Sequence, residues 1–163
     1  MSTSILTLQR NAIAALILTM TKVGGYNFDW EVVNQRNLAL LGFPRAEIYP
    51  VRELNKDTLA GIGSNDYTNE ITWEIHIIWK LDTSSTNPLF DIMDSEDMMV
   101  DDLKALFGKV DNRSVNNTCD NFMYQGFDRA IVSVDQFTPR KIITRWMSVY
   151  SQDRPTPTQF AGS

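Results

Sequence analysis

Large apolar and polar residues alternate along residues 70–82 of this chain. The odd-numbered positions are apolar, and most of the even-numbered ones are polar or charged. Successive side chains of a β-strand point to opposite faces of the sheet, so the pattern predicts a long strand with one buried and one solvated face. Other strands and at least one helix must cover the buried face. Its apolar positions are Ile71, Trp73, Ile75, Ile77, Trp79 and Leu81.

Two segments carry apolar residues at helical spacing. The first is 4–20, which a serine or threonine at positions 2–4 can cap. The second is 95–107, with acidic residues near its start and Gly108 directly after it, as expected for a helix end. We predict that both helices cover the apolar face of the long strand.

Four shorter segments predict further strands, at 26–33, 47–52, 124–136 and 141–151. Pro50 places the second of them at a sheet edge, because proline cannot donate to a strand ladder. The last segment has apolar residues on both parities, which indicates burial on both faces, for example against another subunit. Glycine and polar residues within 54–68 predict a loop.

The predicted order of elements is α-β-β-β-α-β-β. It indicates an α+β fold, with a mostly antiparallel sheet and helices on one face. The 163 residues suit a single domain, which we place at 1–153. Residues 154–163 are rich in proline and threonine and predict an extended C-terminal tail.

The net charge of −5 is unevenly distributed along the chain. Residues 61–102 carry one basic and ten acidic side chains, whereas residues 103–163 carry eight basic and five acidic ones. This distribution argues against nonspecific nucleic-acid binding, which needs a basic surface. It suits a head-to-tail contact in which the acidic region of one copy meets the basic last strand of the next. A solvated acidic loop explains the same charges.

Cysteine content and hydropathy bear on the compartment. Cys119 is the only cysteine, which excludes an intramolecular disulfide and suggests folding in a reducing compartment. The longest apolar run, 12–18, falls short of the roughly 20 residues that a membrane helix needs. We see no secretory signal pattern at the N-terminus and expect no membrane partner.

The residues that could carry chemistry are few. His76 is the only histidine, and a pair with Cys119 would still need an orienting third group and a pocket, neither of which the sequence indicates. The acidic residues of 91–102 lack the spacing and central glycine of a calcium loop, and a helix N-terminus explains them equally well. The glycines match no phosphate-binding motif. We therefore predict no catalytic residues, no metal and no cofactor.

The chain as a whole has a distinctive plan. An amphipathic helix leads to a Gly-Gly-Tyr turn, a Phe-Asp-Trp strand and an edge strand with the segment Glu-Ile-Tyr-Pro. A polar loop, the long strand Ile-Thr-Trp-Glu-Ile-His-Ile-Ile-Trp, a helix with an acidic start and two closing strands complete it. This plan, over about residues 4–150, resembles the tail terminator (tail completion) proteins of long-tailed bacteriophages.

The resemblance implies a structural role and not an enzymatic one. Proteins of that family form a ring, commonly six-fold, that caps the tail tube at its full length and provides the docking surface for the head connector. The implied location is the virion, in its tail or neck, after assembly in the host cytoplasm. The implied partners are further copies of the chain, the tail tube protein and the connector or neck proteins. DNA passes through such a ring without being bound specifically.

A ring requires contacts between copies, and charged or loop residues are the candidates for them. We predict that the following residues contact a neighbouring subunit or partner: Asp57, Asn65, Asp66, Tyr67, Asp94, Glu96, Asp97, Arg140, Lys141, Arg145 and Arg154.

A hydrolase that uses Cys119 and His76 is one alternative interpretation, and two other classes also remain open at this stage. One is a different phage neck or head–tail joining protein, since these share the small α+β plan. The other is a ligand-binding α+β domain with a pocket lined by Trp73, Trp79 and Trp146.

Overall fold

A computed structural model describes residues 4–32, 44–55, 66–80, 88–129 and 139–153, with the backbone alone described for 66–67, 88–90 and 152–153. The order of elements is α-β-β-β-α-β-β, so the predicted α+β class is confirmed. The elements are α1 (Ile5–Ile17), β1 (Glu31–Val32), β2 (Arg45–Asn55), β3 (Asp66–Trp79), α2 (Pro88–Gly108), β4 (Asn121–Arg129) and β5 (Arg140–Asp153).

The five strands form one sheet in the order β1-β2-β3-β5-β4, in which only the β1–β2 pair is parallel. β3 lies at the centre and pairs with β5 along its whole length. β1 pairs with only the first two residues of β2, so Pro50 has no outer strand beside it within the described residues. The ladder also shifts register between Pro50 and Arg52. Both features agree with the edge position predicted from the proline.

The long strand is confirmed, although it begins and ends earlier than predicted. β3 covers Asp66–Trp79 instead of 70–82. Its predicted dry positions from Ile71 to Ile77 are fully buried, and Trp79 is 3% exposed. The even-numbered positions are half-buried, as expected for the opposite face. Leu81 lies outside the described residues.

Both helices pack on the buried face of the sheet. The Ser4 hydroxyl accepts a hydrogen bond from the Thr7 N–H at 3.2 Å and caps α1, as predicted. Gln9, which is 1% exposed, accepts hydrogen bonds from Trp73 Nε1 (3.2 Å) and Ser148 Oγ (2.7 Å). One buried amide of α1 therefore joins the helix to both central strands, because it satisfies polar groups that water cannot reach.

The second helix is longer at its start than predicted. α2 begins at Pro88 and not at residue 95, and it ends at Gly108 as expected. Proline is favoured at the first helical position because its missing N–H has no helical partner there. Ile92 is fully buried, so the apolar stripe of the helix continues into this added turn.

The predicted strand at 26–33 is wrong over most of its length, because β1 is limited to Glu31–Val32. The cause is Asp102 on α2, a carboxylate that is 3% exposed. Its oxygens accept hydrogen bonds from the backbone N–H groups of Asn27 (2.9 Å) and Phe28 (3.2 Å) and from Trp30 Nε1 (3.0 Å). Donors used in this way cannot form a strand ladder.

The last two strands differ from their predictions in extent and in burial. β4 covers Asn121–Arg129 instead of 124–136, and β5 extends slightly beyond the predicted 141–151. In β5, Trp146 and the other even-numbered positions from 140 to 150 are buried, whereas Ile143, Met147 and Val149 are half-buried. The helices therefore cover one parity only, and burial of the other by a second subunit stays a prediction. Predictions for residues 130–136, most of the 54–68 loop and the 154–163 tail lie outside the described residues.

Candidate functional site

The face of the sheet opposite the helices is the candidate functional surface, and we call it the open face. The half-buried side chains of β3 and β5 on this face mix apolar and charged groups. Ile78, Ile143 and Met147 on this face are only half-covered within one copy, so a protein that docked here would bury them further. Its central residues are Glu47, Tyr49, Thr72, Glu74, His76, Ile78, Ile143, Arg145 and Met147.

A polar network occupies the middle of the open face. His76 Nε2 donates to Glu74 Oε2 at 2.8 Å, and the rings of Tyr49 and His76 lie 4.8 Å apart. Arg145 pairs with Asp128 on β4, and its Nε lies 3.8 Å from Glu74 Oε1. The hydrogen bond from Arg145 to the Asp128 carboxylate raises the pKa of the guanidinium. The network therefore links Glu74, Arg145 and Asp128 across β3, β5 and β4.

Four predicted interface residues lie on the surface. Asp94 and Asp97 are exposed on α2, and Lys141 and Arg145 are exposed or half-exposed on β5. Asp97 is already engaged by Arg129 Nη1 at 3.0 Å. Lys141 and Arg145 share the open face, four positions apart along β5, whereas the two aspartates lie on the helical side of the sheet.

Glu96 and Arg140, also predicted at an interface, lie inside the chain. They are 2% and 8% exposed, and Glu96 Oε1 lies 3.6 Å from Arg140 Nε. Arg129 Nη1 lies 3.6 Å from the other oxygen of Glu96. Part of the attraction expected between copies is therefore formed within one copy. The reason is that α2 packs against the adjoining ends of β4 and β5.

The side chains of the remaining predicted interface residues lie outside the described part of the chain. Asp57, Asn65 and Arg154 lie outside the described residues. Asp66 and Tyr67 form the first two positions of β3, where the backbone pairs with Asp153 and Gln152.

Burial controls the charge of Glu96. Desolvation raises the pKa of its carboxyl above the ordinary value of 4.5, because it outweighs the attraction of Arg129 and Arg140. Contacts of 3.6 Å are longer than good charged hydrogen bonds, which is why they compensate incompletely.

We expect this shift to appear in the pH dependence of stability. The native chain keeps the Glu96 proton to a higher pH than the unfolded chain. The contribution of Glu96 to the free energy of unfolding is therefore greatest below pH 4.5 and falls as the pH rises through the native pKa. Glu96→Gln has no proton to lose, so its stability relative to the parent should increase with pH. Urea unfolding from pH 3.5 to 7 measures this difference, with Asp94→Asn as the matched loss of an exposed carboxyl. A difference that stays constant with pH would contradict the expectation.

The candidate catalytic pair is not assembled. Cys119 is 8% exposed and belongs to the core on the helical side, whereas His76 lies on the open face. Burial and the neighbouring Asp120 raise the pKa of the Cys119 thiol to about 12, which leaves it a poor nucleophile at neutral pH. Within the described ranges, no three metal-binding side chains come together in a way that could hold an ion.

A cleft of about 360 Å³ lies between the end of α2 and the first half of β4. Trp146 contributes to its wall, as the ligand-binding alternative expects, but Trp73 and Trp79 pack in the core instead. The lining residues are Lys104, Phe107, Gly108, Arg113, Asn121, Phe122, Met123, Tyr124 and Trp146. Sequence reasoning missed this cleft because its residues come from four parts of the chain: α2, the connection after it, β4 and β5.

These features define an α+β protein whose sheet has one helical side and one open face. No protein-family model matches its sequence, and no curated protein is significantly similar to it. Neither helix in the described part combines the length and hydropathy needed to cross a membrane.

Proposed function

We propose that this chain is a structural virion assembly protein of the tail terminator type. In this role it forms a ring that caps the tail tube and provides the docking surface for the head connector. The observation that carries the proposal is the placement of exposed charge on the two sides of the sheet. Asp94, Asp97 and Asp101 form an acidic stripe along the outer side of α2, and Lys141 and Arg145 lie on the open face.

A ring needs two different surface patches on each copy, so that every copy binds the next in the same way. The acidic stripe and the basic positions of β5 are two such patches, and they lie on opposite sides of the sheet. Asp94 and Lys141 fit this contact best. Both are exposed, and neither forms an ion pair with another described residue.

The fold and the chemistry of the chain are consistent with an assembly role. The sheet with helices on one face is the architecture that the resemblance implies. The separation of Cys119 from His76 removes the one residue pair that favoured a hydrolase. A related neck or head–tail joining protein would use the same surfaces, and its position in the virion would distinguish it.

Charge reversal tests the proposed contact between copies. Lys141→Asp and Asp94→Lys should each reduce ring formation about tenfold, because each places like charges opposite one another. The double variant should restore the ring, since the attraction is then re-formed in the opposite sense. Analytical ultracentrifugation of the chain with purified tail tubes measures ring formation, and Asp111→Lys is the control on an exposed position outside the stripe. If both single variants still form intact rings, the contact between Asp94 and Lys141 is wrong, although the chain still forms a ring.

Electron microscopy of the same mixtures tests the function. We expect additional density at one end of each tube, and capped tubes should join to connectors, unlike bare tubes. Tubes that remain bare at saturating protein concentration would contradict the terminator role.

A further inference from the structure

β4 is the outermost strand of the sheet on one side. Its described strand partner is β5 alone, so its other edge has no strand beside it in the part of the chain that the structure describes. Every second residue of an edge strand directs its backbone N–H and C=O away from the sheet. The register shifts between Tyr124 and Gly126, where Gly126 has a φ of +138°. The shift therefore divides this edge into two regular stretches, 121–124 and 126–129.

The cleft lies against the first of these stretches, residues 121–124. Its floor is a set of packed aromatic rings, with Phe107, Phe122 and Tyr124 each about 5 Å from the ring of Trp146. Met123 also contributes to the lining, although it belongs to the opposite parity of β4. A strand added to β4 would thus find apolar contacts for side chains on both of its faces.

The charged residues that line the cleft are both cations. Lys104 is 48% exposed in its side chain, and its Nζ lies 5.3 Å from the centre of the Tyr124 ring. Its ion pair within the described residues is a long contact of 3.9 Å with Asp101, which is itself largely exposed. Arg113 is exposed and donates to the Gly108 carbonyl at 3.5 Å, a weak bond that uses one of its five N–H groups.

We infer that residues 121–124 and the cleft bind an extended peptide segment of a partner protein. The segment adds to β4 as an antiparallel or parallel strand, which satisfies the outward backbone groups of β4. A large apolar side chain of the segment enters the cleft, and a carboxylate two residues away, on the same face of the added strand, pairs with Lys104 or Arg113. The charge of the lining selects an acidic segment over a basic one. This inference does not depend on the ring.

Selection from a random library identifies the preferred segment. An mRNA-displayed library of random decapeptides is selected against the immobilised full chain. We expect enrichment of a large apolar residue with aspartate or glutamate two positions away. The selected peptide should shift the backbone amide signals of residues 121–124 and the indole signal of Trp146 in NMR spectra of the ¹⁵N-labelled chain. Enrichment of sequences from this chain would assign the site to a second copy and overturn the partner assignment.

Two controls separate strand addition from simple adhesion to an apolar surface. Lys104→Glu with Arg113→Glu changes exposed positions, so the fold is kept, and should weaken the selected peptide about tenfold or more. Two further peptides carry methyl groups on alternate backbone nitrogens, one on the odd-numbered and one on the even-numbered positions. One of them should lose binding and the other should keep it, because only every second N–H of the added strand faces β4. The inference is overturned if both methylated peptides bind equally well or equally poorly. It is also overturned if the double variant keeps its affinity for the peptide, or if the library yields no enriched sequence.

Discussion

Trp73→Ala is expected to lower the free energy of unfolding by ~3–5 kcal/mol. Trp73 is fully buried at the centre of the sheet, and its Nε1 donates to Gln9 Oε1 and Ser148 Oγ. Truncation removes the packing of a large ring and leaves buried hydrogen-bonding groups with fewer partners. Chemical denaturation measured by far-UV circular dichroism gives the change directly.

Two matched substitutions make this measurement specific. Trp73→Phe keeps an aromatic ring in the core and should recover part of the loss, because it still removes the Nε1 hydrogen bonds and some of the buried ring. Val23→Ala removes an apolar side chain that is 100% exposed and should change stability by less than about 0.5 kcal/mol. If the Trp73→Ala protein unfolds at the denaturant concentration of its parent, the assignment of this face to the core is wrong.

Asp102→Ala is the second substitution for which we expect a large loss, ~3 kcal/mol. The carboxylate accepts hydrogen bonds from Asn27, Phe28 and Trp30, and its removal leaves the buried Trp30 indole N–H without a partner. It also releases the segment that leads into β1 from the surface of α2.

The preceding residue supplies the control for this substitution. Asp101→Ala removes the same chemical group from a position whose side chain is 69% exposed, so its effect should be small. Equal losses for the two variants would contradict the tethering role of Asp102. Asp102→Asn retains one acceptor oxygen and should fall between the parent and Asp102→Ala.

The central strand could be predicted because its alternation is local information. Each side chain from Ile71 to Ile77 reports its own face through its parity, whatever the rest of the chain does. The strand at 26–33 failed for the opposite reason. Its residues also alternate, but Asp102, distant in sequence, takes their backbone donors, and no local pattern reports such a partner.

The charged groups also divide into features that a local pattern predicts and features that depend on residues distant in sequence. Arg145 was predicted at an interface from its strand, but its partners Glu74 and Asp128 depend on the register between strands, which sequence alone does not supply. Glu96 gave a signal that the prediction did not use. It falls on the stripe of α2 formed by Ile92, Met99 and Leu103, all of them buried, so its position pointed to the interior.

The state of Cys119 has a practical consequence for work on this protein. With a thiol pKa of about 12, Cys119 is almost entirely in the unreactive thiol form at neutral pH. Maleimide dyes and spin labels will therefore react with a cysteine introduced on the surface long before they reach the native one. Fluorescence and distance measurements on this protein can start from the natural sequence, without first replacing a core residue.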